Sequence, residues 1–240
     1  MSNALTTRAQ TFPRVLVSSS IGKKILVAVT GFVAFGYIVG HMAGNLQIFA
    51  GQDKINNYAE FLHSLGPILW AIRIVLLCLF GLHIWLGIQL KLENMAARPV
   101  SYAKKKEQKT TLAAKYMWLT GTMVFAFFVY HILQFTARVT DARFAHLTDA
   151  QGRYDVYSMV ILGFQSPAIA ITYVVAVGLL CYHLSHGINS MFQSLGFNDE
   201  RYDPKLKFLG NLVSILIFLG YISIPISVLL GYIKLPGGTI

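Results

Sequence analysis

Five long apolar stretches constrain the fold more than any other feature of this sequence. They cover about residues 22–44, 68–90, 113–137, 167–191 and 208–233. A helix rises about 1.5 Å per residue and the hydrocarbon core of a bilayer is about 30 Å thick, so each stretch can cross a membrane. Charged residues make up 12% of the chain, about half of their share in soluble domains. We therefore predict an all-α integral membrane protein, a single domain with a bundle of five transmembrane helices.

The basic residues are distributed unevenly between the two sides of the predicted bundle. Of the 20 Lys and Arg residues, 14 fall in the N-terminal stretch and in the connections 91–115 and 192–207. Because cytoplasmic loops are enriched in Lys and Arg, the N-terminus is predicted to be cytoplasmic and the C-terminus to lie outside. This sorting argues against nucleic acid as the partner. The run "YAKKKEQK" fits both an anchor for anionic headgroups and a docking face for acidic partner subunits.

Other local signals agree with one helical bundle. No period of 20–50 residues repeats, and a cleavable signal peptide is not expected before the first stretch. Cys78 and Cys181 fall inside spans without metal-ligand spacing and are expected to be buried apolar side chains. Pro67 and Pro167 stand at span starts, where a missing amide donor costs nothing, whereas Pro225 is expected to kink the fifth span.

One histidine lies in each of the first four stretches: His41, His83, His131 and His183. Ionisable side chains inside membrane spans are costly and tend to be functional. With the predicted topology, His41 and His131 fall in the outer half of the membrane and His83 and His183 in the inner half. We call them the outer pair and the inner pair. Helix rise places the two levels roughly 15–20 Å apart.

Two imidazoles facing each other at one depth suit the two axial positions of a b-type haem. Zinc would require more ligands at each level. With both axial positions filled by protein, no site is left for oxygen, so electron transfer is the expected role. Each imidazole is expected to donate its other N–H to a carbonyl one turn back in its own helix, which would fix the ring.

Three glycines in "GYIVGHMAG" share one face of the first span: Gly36, Gly40 and Gly44. Small residues at this spacing are typical of close helix packing. The alternative is clearance for a flat ligand lying against the backbone, which the adjacent His41 favours.

These residues resemble the two-haem cytochrome b membrane-anchor subunit of succinate:quinone oxidoreductases, the b558-type anchors of succinate dehydrogenase and fumarate reductase. The resemblance rests on segments spread over the first four spans: "SSIGKKILVAVTG", "GHMAGN", "GLHIWLGIQL", "TGTMVFAFFVYHILQF" and "YHLSHGINSMFQSLGF". It implies that His41 and His131 ligate the outer (distal) haem and that His83 and His183 ligate the inner (proximal) haem. His186 lies three residues after His183, and the family pattern selects His183 as the ligand.

The resemblance also implies partners and a second site. A flavoprotein subunit and an iron–sulfur subunit would bind on the cytoplasmic face, and the complex could form a higher oligomer. A quinone, with menaquinone favoured, would exchange electrons with the complex in either direction. Glu60 and His63 are the candidates for quinone protonation, although they could equally be a loop-helix residue and a headgroup-level histidine. Candidate propionate or quinone contacts are His186, Arg73, Asn45 and Gln47.

The expected location is the bacterial cytoplasmic membrane, as a multi-pass protein. Two other functions fit parts of the pattern. One is the cytochrome b anchor of a hydrogenase or formate dehydrogenase, which would place its ligands differently among the spans. The other is a proton-coupled transporter with histidine relays, in which inverted repeats and broken helices would be expected.

Overall fold

In the computed structural model, residues 16–97, 112–197 and 199–237 are described, and helices account for most of them. The cationic run "YAKKKEQK", Arg8 and Arg14 lie outside the described residues. Within the described ranges there is no strand; an isolated antiparallel bridge joins Thr148 to Tyr154.

The described ranges contain seven helices of nine or more residues. They are α1 (Ser20–Asn45), α2 (Gln52–Ser64), α3 (Pro67–Ala96), α4 (Met117–His131), α5 (Val156–Phe164), α6 (Pro167–Ser194) and α7 (Asp203–Leu229). A 3-10 turn, Leu46–Ala50, extends α1, and a π-helical turn, Ile132–Thr136, extends α4. Two further short pieces are a single turn at Leu112–Lys115 and a 3-10 turn at Ala142–Phe144.

Five of these helices are long and apolar enough to cross a membrane, as predicted: α1 and α4 with their extensions, α3, α6 and α7. Pro67 and Pro167 stand in the first turn of α3 and α6, and Pro225 lies inside α7. The ends of the helices differ from the prediction. The last span ends at Leu229 rather than near residue 233, because Gly231 adopts a left-handed conformation with φ of 71°.

Helix α6 is central to the bundle. It packs against α1, α4 and α7, while α1 also packs against α3. Its buried side chains recur every three or four residues and include Tyr173, Val177, Cys181 and Leu184. That spacing keeps one face of the helix in contact with its neighbours. Cys181 is buried as expected, whereas Cys78 is exposed.

A polar network holds together one end of the bundle, which we call the cap: α2, the segment 137–155 and α5. At its centre, the fully buried Asn56 amide donates to Asp149 and Asp155 at 3.0 Å each and accepts from the Tyr157 amide at 3.0 Å. Gln52 donates to the second oxygen of Asp155 at 2.8 Å. The network therefore fastens α2 to the start of α5.

Electrostatics keep this network intact at neutral pH. Burial alone would raise the pKa of Asp149, but hydrogen bonds from Asn56 and Arg153 outweigh it and lower the pKa below its ordinary value. Arg153 also contacts Asp53 of α2 at 2.7 Å. Since the folded pKa of Asp149 is depressed, its stabilising contribution is present above its unfolded pKa and is lost as the pH falls through the folded value.

An ion pair joins α1 to α3 at the opposite end of the bundle. Lys23, which is buried, donates to Glu93. The ammonium group of Lys23 is therefore paired inside the protein. Lys91 is also partly engaged, with its ammonium group 5.6 Å from the centre of the Trp118 ring.

We predict that Asn56→Ala destabilises the cap. The substitution removes three hydrogen bonds at a fully buried position, and each polar group left without a partner costs about 1–3 kcal/mol. The measurement is protease cleavage within residues 137–155 of the detergent-solubilised protein, which should become faster. Lys54→Ala, on the exposed side of the same helix, is the matched control; equal cleavage rates in both variants would contradict the clamping role of Asn56.

Candidate functional site

The outer pair, His41 and His131, meets between the C-terminal ends of α1 and α4. Their ring centroids are 5.7 Å apart and the rings are nearly perpendicular, at 83°. Tyr37, one turn before His41, stacks on it at 5.5 Å with an interplanar angle of 11°. A metal ion lies about 2 Å from the imidazole nitrogen that binds it. The 5.7 Å between the two ring centroids is therefore of the size needed for a single ion between the rings.

A hydrogen-bond relay fixes the tautomer of His131. Its Nδ1 lies 3.2 Å from the Tyr173 hydroxyl, which donates its own hydrogen to Oε1 of the buried Gln134 at 2.8 Å. The hydroxyl has no second hydrogen to give, so Nδ1 of His131 is the donor. The lone pair of this imidazole is consequently on Nε2, the nitrogen that can bind a metal.

Aromatic side chains surround this relay. Tyr173 makes edge contacts with Phe127 and Phe164 at 4.9 Å each, and Phe135 packs against both Tyr173 and His131 at 5.8 Å. These rings leave little access for water to the outer pair from the side of α6.

The inner histidine of α3 is held by α1. Nδ1 of His83 lies 3.1 Å from the Thr30 hydroxyl and 3.2 Å from the Val27 carbonyl. A carbonyl oxygen only accepts, so Nδ1 carries the hydrogen. The Thr30 hydroxyl donates to the Leu26 carbonyl at 2.8 Å and can therefore accept from His83. Nε2 of His83 is left with the free lone pair.

The inner histidine of α6 has the same type of partner on α4. Nδ1 of His183 lies 3.3 Å from the hydroxyl of the buried Thr120, which donates to the Met117 carbonyl at 3.0 Å. His83 is close enough to His183 for charges on the two rings to interact. The outer histidines thus form a contacting pair, and each inner histidine is held by a threonine of the helix packed beside it. Among the described residues no three His, Cys, Asp or Glu side chains converge as a metal-ligand group.

The partners of these imidazoles differ from the expectation. For His83, His131 and His183, Nδ1 bonds to a side chain or carbonyl of a neighbouring helix rather than to the carbonyl one turn back, so the sequence-based expectation is wrong for these three.

Glycines lie against both inner histidines. A Cβ atom at Gly31 would be 3.2 Å from Cε1 of His83, and one at Gly121 would be 3.4 Å from Cε1 of His183. The glycine face of α1 divides into two parts. Gly44 is covered by Tyr58 of α2, but in the described part of the chain no atom lies within 4 Å of a Cβ added at Gly36 or Gly40. No described helix of this chain therefore packs closely on those two glycines.

The other candidate cofactor contacts are dispersed around these pairs. His186 is half-buried and close enough to His183 to interact with it electrostatically. Arg73 is exposed on α3, with its guanidinium 5.1 Å from the centre of the Trp70 ring. Asn45 donates to the His41 carbonyl at 2.8 Å, and Gln47 is half-buried in the 3-10 turn that follows α1.

Both candidates for quinone protonation are on the exposed side of α2. Glu60 and His63 lie three residues apart on this helix. Partial burial and then the positive charges of Arg73 and Arg138 lower the pKa of His63. At neutral pH its imidazole is therefore uncharged and able to accept a proton.

Sequence reasoning missed the residues that hold the histidines: Thr30, Thr120, Tyr173 and Gln134. It also missed Arg138, which adopts a positive φ of 59° and lies 3.5 Å over the Tyr154 ring. The buried Nε of Arg138 has no hydrogen-bond partner among the described residues. One signal was available, since Thr30 and Thr120 are each followed by glycine and each precede an outer histidine at the same spacing.

No protein-family model, curated protein or solved structure matches the chain. Its function must therefore be inferred from the residues of the site.

We predict that Tyr173→Phe destabilises the protein. Without the hydroxyl, Nδ1 of His131 and Oε1 of Gln134 lose a shared partner in a buried position, at a cost of about 1–3 kcal/mol for each orphaned group. The thermal unfolding midpoint in detergent should fall. Tyr182→Phe removes a hydroxyl from an exposed position of the same helix and should leave the midpoint unchanged; an equal fall in both variants would refute the relay.

Proposed function

We propose that this chain is the membrane-anchor cytochrome b subunit of a succinate:quinone oxidoreductase in a bacterial cytoplasmic membrane. In this role it passes electrons between an iron–sulfur subunit and a quinone through two bis-histidine b haems. The single observation that carries the proposal is the arrangement of the four histidines at two levels, with one histidine on each of four spans. In three of the four imidazoles, a hydrogen bond at Nδ1 leaves Nε2 free as a metal ligand.

The donor set fits the proposed cofactor. When bound, a haem with two axial imidazoles supplies one-electron transfer without an open position for oxygen. His41 and His131 would hold the outer haem, and His83 and His183 the inner one. The open space beside Gly36 and Gly40, next to His41 in the sequence, supports clearance for a flat ligand.

Helix α1 sets the distance between the inner and the outer histidine level. His83 contacts Thr30 of α1, and Thr30 precedes His41 in that same helix. At a rise of about 1.5 Å per residue, the stretch of α1 from Thr30 to His41 places the inner level roughly 17 Å from the outer level. This agrees with the spacing inferred from the sequence and supports two separate sites rather than one four-histidine site.

Proton exchange with the quinone is assigned to α2. His63 is uncharged at neutral pH because of its lowered pKa and can take up or release a proton, with the exposed Glu60 nearby on the same helix. The cap network fixes the position of this helix over the outer end of the bundle. Arg73, Asn45, Gln47 and His186 remain candidates for contacts to propionates or to the quinone.

The dicarboxylate chemistry requires partner subunits. The chain has two cysteines, one exposed on α3 and one buried on α6, too few to ligate an iron–sulfur cluster. A flavoprotein and an iron–sulfur subunit would supply those steps at the end of the bundle opposite the cap, which we call the basic end. Lys205, Lys207 and the cationic connection 91–115 are predicted to lie on that side.

The first test is optical. The full-length protein purified in detergent should show a b-type α-band after dithionite reduction and contain two haems per chain. Substitution of His41 or His131 by Ala should remove one haem, and substitution of His83 or His183 should remove the other, because each pair shares one iron. His186→Ala should retain both haems.

His146→Ala, in the exposed loop of the cap, is the control and should also retain both. Absence of an α-band in the wild-type protein would eliminate the proposed function. If His41→Ala and His83→Ala removed the same haem, the assignment of the pairs would be wrong.

The second test identifies the electron donor. In membranes that contain the whole complex, succinate should reduce the b haems, because the proposed partners deliver electrons from succinate. Malonate, a competitive analogue of the dicarboxylate, should slow the reduction. Reduction by formate or hydrogen but not by succinate would instead assign the chain to the anchor of a formate dehydrogenase or hydrogenase.

A further inference from the structure

The first and third spans have the same spacing between a Thr-Gly pair and the outer histidine. In α1, Thr30 and Gly31 precede His41, and in α4, Thr120 and Gly121 precede His131, with the same interval from threonine to histidine in both helices. That interval corresponds to about three turns of an α-helix. Each threonine therefore lies on the same face of its helix as the outer histidine, three turns away.

The second and fourth spans share another spacing. His83 is followed four residues later by Gly87 in α3, and His183 by Gly187 in α6. The offset between matching positions is 90 residues for α1 and α4 and 100 residues for α3 and α6. This repeat is longer than the 20–50 residues typical of solenoids, so a search for short periods does not detect it.

The contacts repeat together with the spacing. Helix α1 packs on α3 and α4 packs on α6, and in each case the threonine of the first helix meets the inner histidine of the second. The Oγ1 to Nδ1 distances are 3.1 Å for Thr30 and His83 and 3.3 Å for Thr120 and His183. The glycine that follows each threonine faces Cε1 of the same imidazole. At two separate places in the bundle, an inner histidine is thus contacted by a threonine and by the glycine that follows it.

We propose that Thr30–Gly31 and Thr120–Gly121 are equivalent positioning elements that orient His83 and His183 as the two axial ligands of the inner haem, in two related helix pairs, α1–α3 and α4–α6. The inference rests on the proposed haem-binding function and adds residues to it that are not ligands themselves.

Each part of the Thr-Gly pair has a separate physical role. The threonine hydroxyl donates to a carbonyl of its own helix, at 2.8 Å for Thr30 and 3.0 Å for Thr120, which turns its lone pair toward Nδ1 of the histidine. A hydrogen bond accepted from the outer nitrogen of a ligand imidazole fixes its tautomer and raises its basicity. The glycine leaves space for the ring to approach the helix backbone.

The repeat also separates His183 from His186. With an offset of 100 residues, His183 matches His83, whereas His186 matches Leu86, a fully buried apolar residue. The contacts of Thr120 and Gly121 with the imidazole of His183 therefore select His183 as the axial ligand, independently of any family pattern.

The experiment replaces the hydroxyl at one Thr-Gly pair at a time. Thr30→Val and Thr120→Val keep the shape and remove the acceptor, while Thr30→Ser and Thr120→Ser keep the hydroxyl. Thr122→Val is the matched control, because Thr122 is exposed on α4 and its hydroxyl bonds to the Trp118 carbonyl of its own helix at 2.9 Å. The measurements on the purified full-length protein are the midpoint potential of each haem and the electron paramagnetic resonance signal of each ferric haem.

Both Val variants should shift the midpoint potential of the same haem upward and alter its resonance signal, because a less basic ligand stabilises ferric iron less. The other haem should not change, and neither Ser variant nor Thr122→Val should change either haem. The haem affected should be the one that His83→Ala removes. If a Val variant does not fold, the corresponding Ala variant removes the same acceptor with less steric demand.

Unchanged potentials and signals in the Val variants would overturn the positioning role, and so would shifts of two different haems by Thr30→Val and Thr120→Val. These outcomes differ from failure of the proposed function, in which the wild-type protein contains no haem at all.

Discussion

The lack of water in a bilayer core determines how this bundle can hold imidazoles. A polar N–H that faces hydrocarbon costs several kcal/mol unless it finds a partner inside the protein. Here the partners of Nδ1 come from neighbouring helices: Thr30, Thr120 and Tyr173. Each bond satisfies one nitrogen and simultaneously joins two spans, so the same contacts that orient the rings also fix the packing of α1 on α3 and of α4 on α6.

The two ends of the molecule are organised in different ways. At the cap, Asn56, Asp149 and Arg153 form a dense polar network that fastens α2 and α5 over the outer pair. At the basic end, the ion pair between Lys23 and Glu93 joins α1 to α3. The bundle is therefore fastened at both ends, and the histidine levels lie between these polar layers. Among the five spans, α6 has the largest buried share.

The sequence predicted what depends on hydropathy along one helix, and it missed what depends on contacts between helices. The five spans and the prolines at the starts of α3 and α6 follow from patterns in single segments. The partners of the histidines do not, because Thr30 is 53 residues from His83 and Tyr173 is 42 residues from His131. The end of α7 was also not predicted, because it depends on the positive φ of one glycine, Gly231.

The interval from threonine to outer histidine is equal in α1 and α4, so both helices separate the inner and outer histidine levels by the same distance. Side-chain substitutions between Thr30 and His41 leave the rise of the backbone intact. Adding or removing one residue would rotate His41 by about 100° relative to Thr30 and change the separation of the levels by about 1.5 Å. The separation of the two histidine levels thus depends on the number of residues between Thr30 and His41, so an insertion or deletion changes it whereas a side-chain substitution does not.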